Sequence, residues 1–164
     1  MSSVDIEVKQ FTDKRDMYAY VREVFPGLLS GDAVADLANA SALLNMFLEK
    51  VNWVGFYIMK DGALVLGPFQ GKPAVVRIEA GAGVCGTAVA EGCTQVVDDV
   101  HKCENHIACD ANSSSEIVVP MFVDGRVVGV LDLDSPVPSR FDAEDREGIE
   151  RFAAEVARLV RPGS

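Results

Sequence analysis

The spacing of hydrophobic and polar positions changes several times along the chain, and each change marks an element. Residues Asp13–Phe25 carry Met17, Tyr18, Val21, Val24 and Phe25 at helical spacing, and Pro26 ends the run. After a turn at Ser30–Gly31, the segment Asp32–Lys50 sets Val34, Leu37, Ala38, Ser41, Leu44, Phe47 and Leu48 on one stripe, which predicts a long amphipathic helix. Strand-like segments follow. Val51–Met59 (VNWVGFYIM) is rich in β-branched and aromatic residues, and Asp61–Gly62 signals a tight turn into Ala63–Gln70. Ala74–Glu79 follows after Gly71-Lys72-Pro73, and three strands joined by such short links predict an antiparallel meander. In GAGVCGTAVAEG, glycines permit a sharp entry and small residues predict a short helix over Cys85–Ala90.

Thr94–Val97 reads as a brief strand. Glu116–Val123, the Asp124–Gly125 turn and Arg126–Asp134 read as a hairpin. The chain closes with a helix through Val160, with Asp142 as N-cap and Ile149, Phe152, Ala153, Val156 and Val160 as its buried stripe. The expected architecture is α+β: a six-stranded, mostly antiparallel sheet with helices packed on it, in one domain over residues 1–164 that includes the N-terminal helical segment of about residues 1–30.

Between the apolar runs Thr94–Val97 and Ile117–Val123 lies Asp98–Pro120 (DDVHKCENHIACDANSSSEIVVP), polar and turn-rich. About twenty residues of irregular chain inside a compact domain usually carry function. This one holds both histidines and two of the four cysteines, and Cys109 within it is the candidate redox nucleophile. Cys85 is a second candidate, because a helix start favours a thiolate.

Strand alternation groups further residues. Trp53 and Tyr57 are four apart in one strand and share a face, as Asp132 and Asp134 do in another, and Glu116 opens the strand that pairs with the latter. Acidic residues at alternate positions of an apolar strand (VVGVLDLDS) are expensive to bury. Either the strand has run out into solvent, or the residues form a cup with an aromatic wall and a carboxylate rim. Such a cup suits a small ligand with an apolar methyl and a positive amine. A competing reading of the loop takes His101, Cys103, His106 and Cys109 as a tetrahedral zinc set. Their spacing is tighter than the usual zinc knuckles, so no metal or other cofactor is expected.

Composition narrows the class. Hydrophobic residues make up 49% of the 164, the charged fraction is ordinary, and no apolar run reaches the ~20 residues of a membrane span. The N-terminus has no secretory pattern, so a soluble, cytoplasmic protein is expected, where structural disulfides are rare. A net charge of −10 argues against nucleic acid or anionic lipid as partners. Neither a P-loop nor a dinucleotide fingerprint is present.

Six blocks, NWVGFY (52–57), LGPFQGKPA (66–74), GVCGTA (83–88), HIACD (106–110), SEIVVP (115–120) and GVLDLDS (129–135), resemble the GAF-domain free methionine-(R)-sulfoxide reductases, in the same order. The resemblance runs from about the second helix to the last. It implies a GAF-like fold, with Cys109 as catalytic cysteine and Cys85 as its resolving partner. It further implies that Trp53 and Tyr57 hold the substrate methyl, and that Glu116, Asp132 and Asp134 bind the sulfoxide and the free amino group. The implied chemistry is reduction of free L-methionine-(R)-sulfoxide through a cysteine sulfenic acid and an intramolecular disulfide, with a thioredoxin-type reductant and room for a homodimer. One position departs: a third redox cysteine common in the family is Val75 here, in KPAVVRI. The alternative of a different class is a non-catalytic GAF sensor of a small molecule.

Overall fold

The computed structural model describes residues 6–102 and 113–160. Helix α1 (Lys14–Val24) starts where Asp13 caps the Arg15 N–H, and a 3-10 turn at Phe25–Leu28 ends it around Pro26. Helix α2 (Ala33–Phe47) is capped by Asp32. Strands β1 (Trp53–Lys60), β2 (Ala63–Gln70) and β3 (Arg77–Glu79) precede helix α3 (Gly83–Glu91) and strand β4 (Gln95–Val97). After a 3-10 turn at Val100–Lys102 come β5 (Ser115–Val123), β6 (Arg126–Ser135) and helix α4 (Ala143–Ala157). Asp142 caps α4 in a reciprocal box with Asp145, so each side chain accepts the other's backbone N–H.

The strands form one sheet in the order β3-β2-β1-β6-β5-β4, with every adjacent pair antiparallel. The α+β, six-stranded expectation therefore holds. Hydrophobic cores lie on both faces. On one, α1, α2 and α4 bury Tyr18, Leu44, Phe152 and Val156 against Val54, Phe56, Ile117, Leu131 and Leu133. On the other, α3 covers Trp53, Tyr57, Leu64, Val118 and Val130. A sheet covered on both sides explains why its central strands read as nearly continuous apolar runs.

Three boundaries differ from the sequence reading. Val34 was expected on the buried stripe of α2 but is 69% exposed, and the buried face instead runs through Leu37, Ala40, Leu43 and Leu44. In the first turn of α2 the buried side chain of Asp36 accepts from Ser30 and Gly31 and closes the preceding turn. The strand expected over Ala74–Glu79 is ladder-paired only from Arg77. Upstream, Leu66 N–H reaches the Val76 carbonyl, and the Tyr57 hydroxyl takes the Val75 carbonyl. Finally, α3 begins two residues early, so Cys85 lies inside its first turn and not at its start.

Candidate active site

Register brings together the residues that alternation had only grouped by strand. On the α3 face, Glu116 of β5 pairs with Asp134 of β6, which pairs with Trp53 of β1. One row along, Val118 pairs with Asp132, and Asp132 with Gly55. Next come Val130 and Tyr57. Three acids from two strands thus meet two aromatics from a third. All five are buried, so the reading of β6 as a strand run out into solvent is excluded.

The aromatic wall is larger than the sequence suggested. Trp53 stacks on Tyr57 with centroids 6.1 Å apart and on Phe69 of β2 at 5.1 Å. Phe69 was not singled out from the sequence, because only the β1–β2 register places it opposite Gly55. Gly55 has its own reason: a Cβ there would collide with Phe69, so the absent side chain lets β2 close in and leaves the sheet bare beside Asp132. The rings are also pinned at their polar ends. Trp53 Nε1 donates to the Lys72 carbonyl at 3.1 Å and Tyr57 OH to the Val75 carbonyl at 2.8 Å. Gly71 lies against the indole with φ of 141°, a conformation and a closeness that both favour glycine. Val75 thus supports Tyr57 through its backbone.

Cys85 enters from α3. It is buried, and its Sγ donates to Asp132 Oδ2 at 3.5 Å. Burial above all, then the charges of Asp132, Glu116 and Asp134, push this thiol well above its ordinary value. The expectation that a helix start would favour the thiolate is therefore overturned. About half an elementary charge from the helix end is outweighed by desolvation and neighbouring acids. Burial, and then Asp134, raises the Glu116 carboxyl well above the carboxylate range; burial, and then Glu116, does the same to Asp132. Glu116 also shares side-chain hydrogen bonds with Asp132 and Asp134, so the carboxyls are coupled to one another. Asp132 Oδ1 is buried with no hydrogen-bond partner.

Cys103, His106 and Cys109 lie outside the described residues, as does most of the four-residue zinc set; His101 stands exposed in the 3-10 turn. The segment carrying them leaves and returns beside the cup. Val100 N–H donates to the Ser114 carbonyl at 2.8 Å, Ser114 N–H to Ser135, and Glu116 follows two residues on. Cys93, beyond the left-handed Gly92 that ends α3, is exposed and remote from the cup's buried groups.

Comparison with known proteins agrees with this arrangement. The GAF domain family profile matches residues 38–161. The chain is 49% identical over 150 residues to the free methionine-R-sulfoxide reductase of Escherichia coli (strain K12), covering 90% of this chain and 91% of the relative. It superposes with a TM-score of 0.82 on fRMsr of Staphylococcus aureus in complex with substrate, at 49% identity over 88% of this chain and 95% of the other. The free methionine-R-sulfoxide reductase of Neisseria meningitidis, also in complex with its substrate, superposes at 0.84 with 40% identity, covering 98% and 96%. Among the described residues, no helix is long and apolar enough to cross a membrane. With a matching profile over most of its length, near-half identity and a shared sheet, the chain belongs to the GAF-domain family of free methionine-R-sulfoxide reductases.

Proposed function

We propose that this oxidoreductase reduces free L-methionine-(R)-sulfoxide to methionine, with Cys109 as nucleophile, Cys85 as resolving thiol and a thioredoxin-type dithiol as final reductant. The observation that carries the reading is the buried constellation of Cys85, Glu116 and Asp132 beside stacked Trp53 and Tyr57. The relatives from Escherichia coli, Staphylococcus aureus and Neisseria meningitidis support the substrate by name or by the complexes they form.

Each group has a task. Trp53, Tyr57 and Phe69 offer an apolar wall for the methyl and the side-chain methylenes. An ionised carboxylate among Glu116, Asp132 and Asp134 takes the ammonium of the free amino acid, a group that a peptide-embedded residue lacks. The Cys109 thiolate attacks the sulfoxide sulfur as a protonated carboxyl of the cluster gives its proton to the oxygen. The oxygen passes to Cys109 as sulfenic acid and methionine leaves. A buried carboxyl with a raised pKa suits this role, because burial and the neighbouring acids favour its protonated form. Cys85, kept as a thiol, then attacks the sulfenic sulfur. Its proton passes by way of Asp132 to the departing sulfenic hydroxyl, which leaves as water, and a Cys85–Cys109 disulfide forms, which the external dithiol reduces.

The test is stereospecific. Reduced protein mixed with free R- or S-methionine sulfoxide should release about one methionine per subunit from the R form alone, and none from N-acetylated substrate. Equal reduction of both stereoisomers, or of the acetylated form, would defeat the assignment. Non-reducing digestion and mass spectrometry should then find Cys85 linked to Cys109; a Cys103–Cys109 link would move the resolving role into the loop.

A further inference from the structure

The cup also has the geometry of a metal site. Cys85 Sγ, one carboxylate oxygen of Glu116 and one of Asp132 all lie within 4.8 Å of one another. Cys85 Sγ stands 3.5 Å from Asp132 Oδ2. A tetrahedral zinc ion, with bonds of about 2.3 Å to sulfur and 2.0 Å to oxygen, sets such a ligand pair about 3.5 Å apart. The Cys85–Asp132 spacing therefore already equals one edge of a tetrahedral zinc site. An independent observation points the same way. Asp132 is fully buried, yet its Oδ1 has no hydrogen-bond partner, and a buried oxygen in that condition is relieved by a cation.

We propose that the reduced protein binds one thiophilic divalent cation, Zn2+ or Cd2+, on Cys85, Glu116 and Asp132, and that the bound ion shuts the substrate out. One sulfur and two oxygens make three ligands and leave a fourth position open. Sulfur ligation selects these ions over Mg2+ and Ca2+, which take oxygen. On binding, the Cys85 thiol proton and the protons held by the Glu116 and Asp132 carboxyls leave to solvent, and one sulfur and two carboxylate oxygens become the ligands. The ion is an inhibitor at this site and supplies nothing to the reduction. Exclusion of substrate rests on the function proposed above; binding of the ion does not.

The full chain, reduced and kept free of oxygen, is titrated with Co2+, whose sulfur-to-metal charge-transfer absorption reports a thiolate ligand; Zn2+ is then added to displace it. One equivalent should bind with that absorption. The isosteric variants Cys85→Ser and Asp132→Asn, checked for folding by thermal melts, should each bind at least about ten-fold more weakly. Cys103→Ser should bind as the unsubstituted chain does. Absence of the thiolate band overturns the site, as does a band that survives Cys85→Ser. A band lost in Cys103→Ser assigns the metal to the loop cluster and overturns it equally.

Exclusion is read from the methionine released in a single turnover of R-sulfoxide. One equivalent of Zn2+ should abolish it in the unsubstituted chain and leave the yield of Cys85→Ser as it is without metal. Undiminished release from the zinc-loaded chain overturns exclusion. No release without zinc overturns the proposed reaction, and leaves the result of the metal titration standing.

Discussion

Two groups of buried carboxyls sit on opposite faces of the same sheet, and they are built in opposite ways. Asp145, in the first turn of α4, receives Lys14 Nζ at 2.8 Å, Arg140 Nη1 at 3.0 Å, the Tyr18 hydroxyl at 2.7 Å and the Asp142 N–H at 3.1 Å. Its charge is met by two cations from within the chain, and the same contacts tie α1, α4 and the preceding loop together. Glu116, Asp132 and Asp134 stand close to one another and to the Cys85 thiol, and burial and that proximity favour the protonated forms of Glu116, Asp132 and Cys85. The first group spends its acid on holding the fold. The second sets acid beside acid, at a cost in stability, where a carboxyl can meet a cation or surrender a proton to a ligand. That difference separates a structural carboxylate from a functional one more sharply than burial does, since both are buried.

If this contrast is right, substitutions should divide into two classes. The largest effect is expected in the cup. Asp132→Asn should lower kcat/KM for free methionine-R-sulfoxide by about 30-fold to several thousand-fold, as expected when about 2–5 kcal/mol of a desolvated charge contact is removed. Urea unfolding at neutral pH should nevertheless find this variant at least as stable as the unsubstituted chain, because it no longer carries a buried acid among acids. An Asp132→Asn protein with full activity and lower stability would reverse the roles assigned to the two groups.

At Asp145 the signs should invert. Asp145→Asn removes the charge that Lys14 and Arg140 share, and breaking such a buried pair costs about 3 kcal/mol, the lower end of the usual range because Lys14 is partly exposed. For a chain of this length that is a drop of about 6–12 °C in Tm. Single-turnover methionine release below the melting range should stay close to normal.

The pH dependence of stability separates the groups again. Glu116 and Asp132 have folded pKa values above their unfolded ones, so above about pH 4 the folded chain holds more protons than the unfolded chain. Their contribution is complete below that pH and is lost as pH rises toward the folded values. Asp142 behaves oppositely. Its hydrogen bond to Lys14 is the main cause of a pKa lowered to about 2, so its contribution is present above about pH 4 and lost as pH falls toward about 2. Denaturant midpoints measured across this range should show the alkaline-side decline flattened in Glu116→Gln and Asp132→Asn, and the acid-side decline flattened in Asp142→Asn. The smallest effect is expected for Asp142→Ala, about 1 kcal/mol in urea unfolding for the lost cap of α4, without change in activity.

The sequence by itself determined most of the elements and their order, because their signals are local. Asp13, Asp32 and Asp142 mark helix starts, Asp61–Gly62 and Asp124–Gly125 mark hairpins, and α4 shows its stripe in the spacing of Ile149, Phe152 and Val156. It also marked Trp53, Tyr57, Glu116, Asp132 and Asp134, since alternation decides which residues of one strand share a face. What alternation cannot decide is which strands are neighbours, or in what register. Placing β6 between β1 and β5 required the tertiary fold, and with it the row that joins Glu116 to Asp134 and Trp53, the pairing of Asp132 with Gly55, and the arrival of Phe69 from β2. The state of Cys85 was decided there as well. Its position near a helix start is local and argues for a thiolate, whereas the acids that keep it protonated come from strands more than thirty residues on, and electrostatics acts through space rather than along the chain.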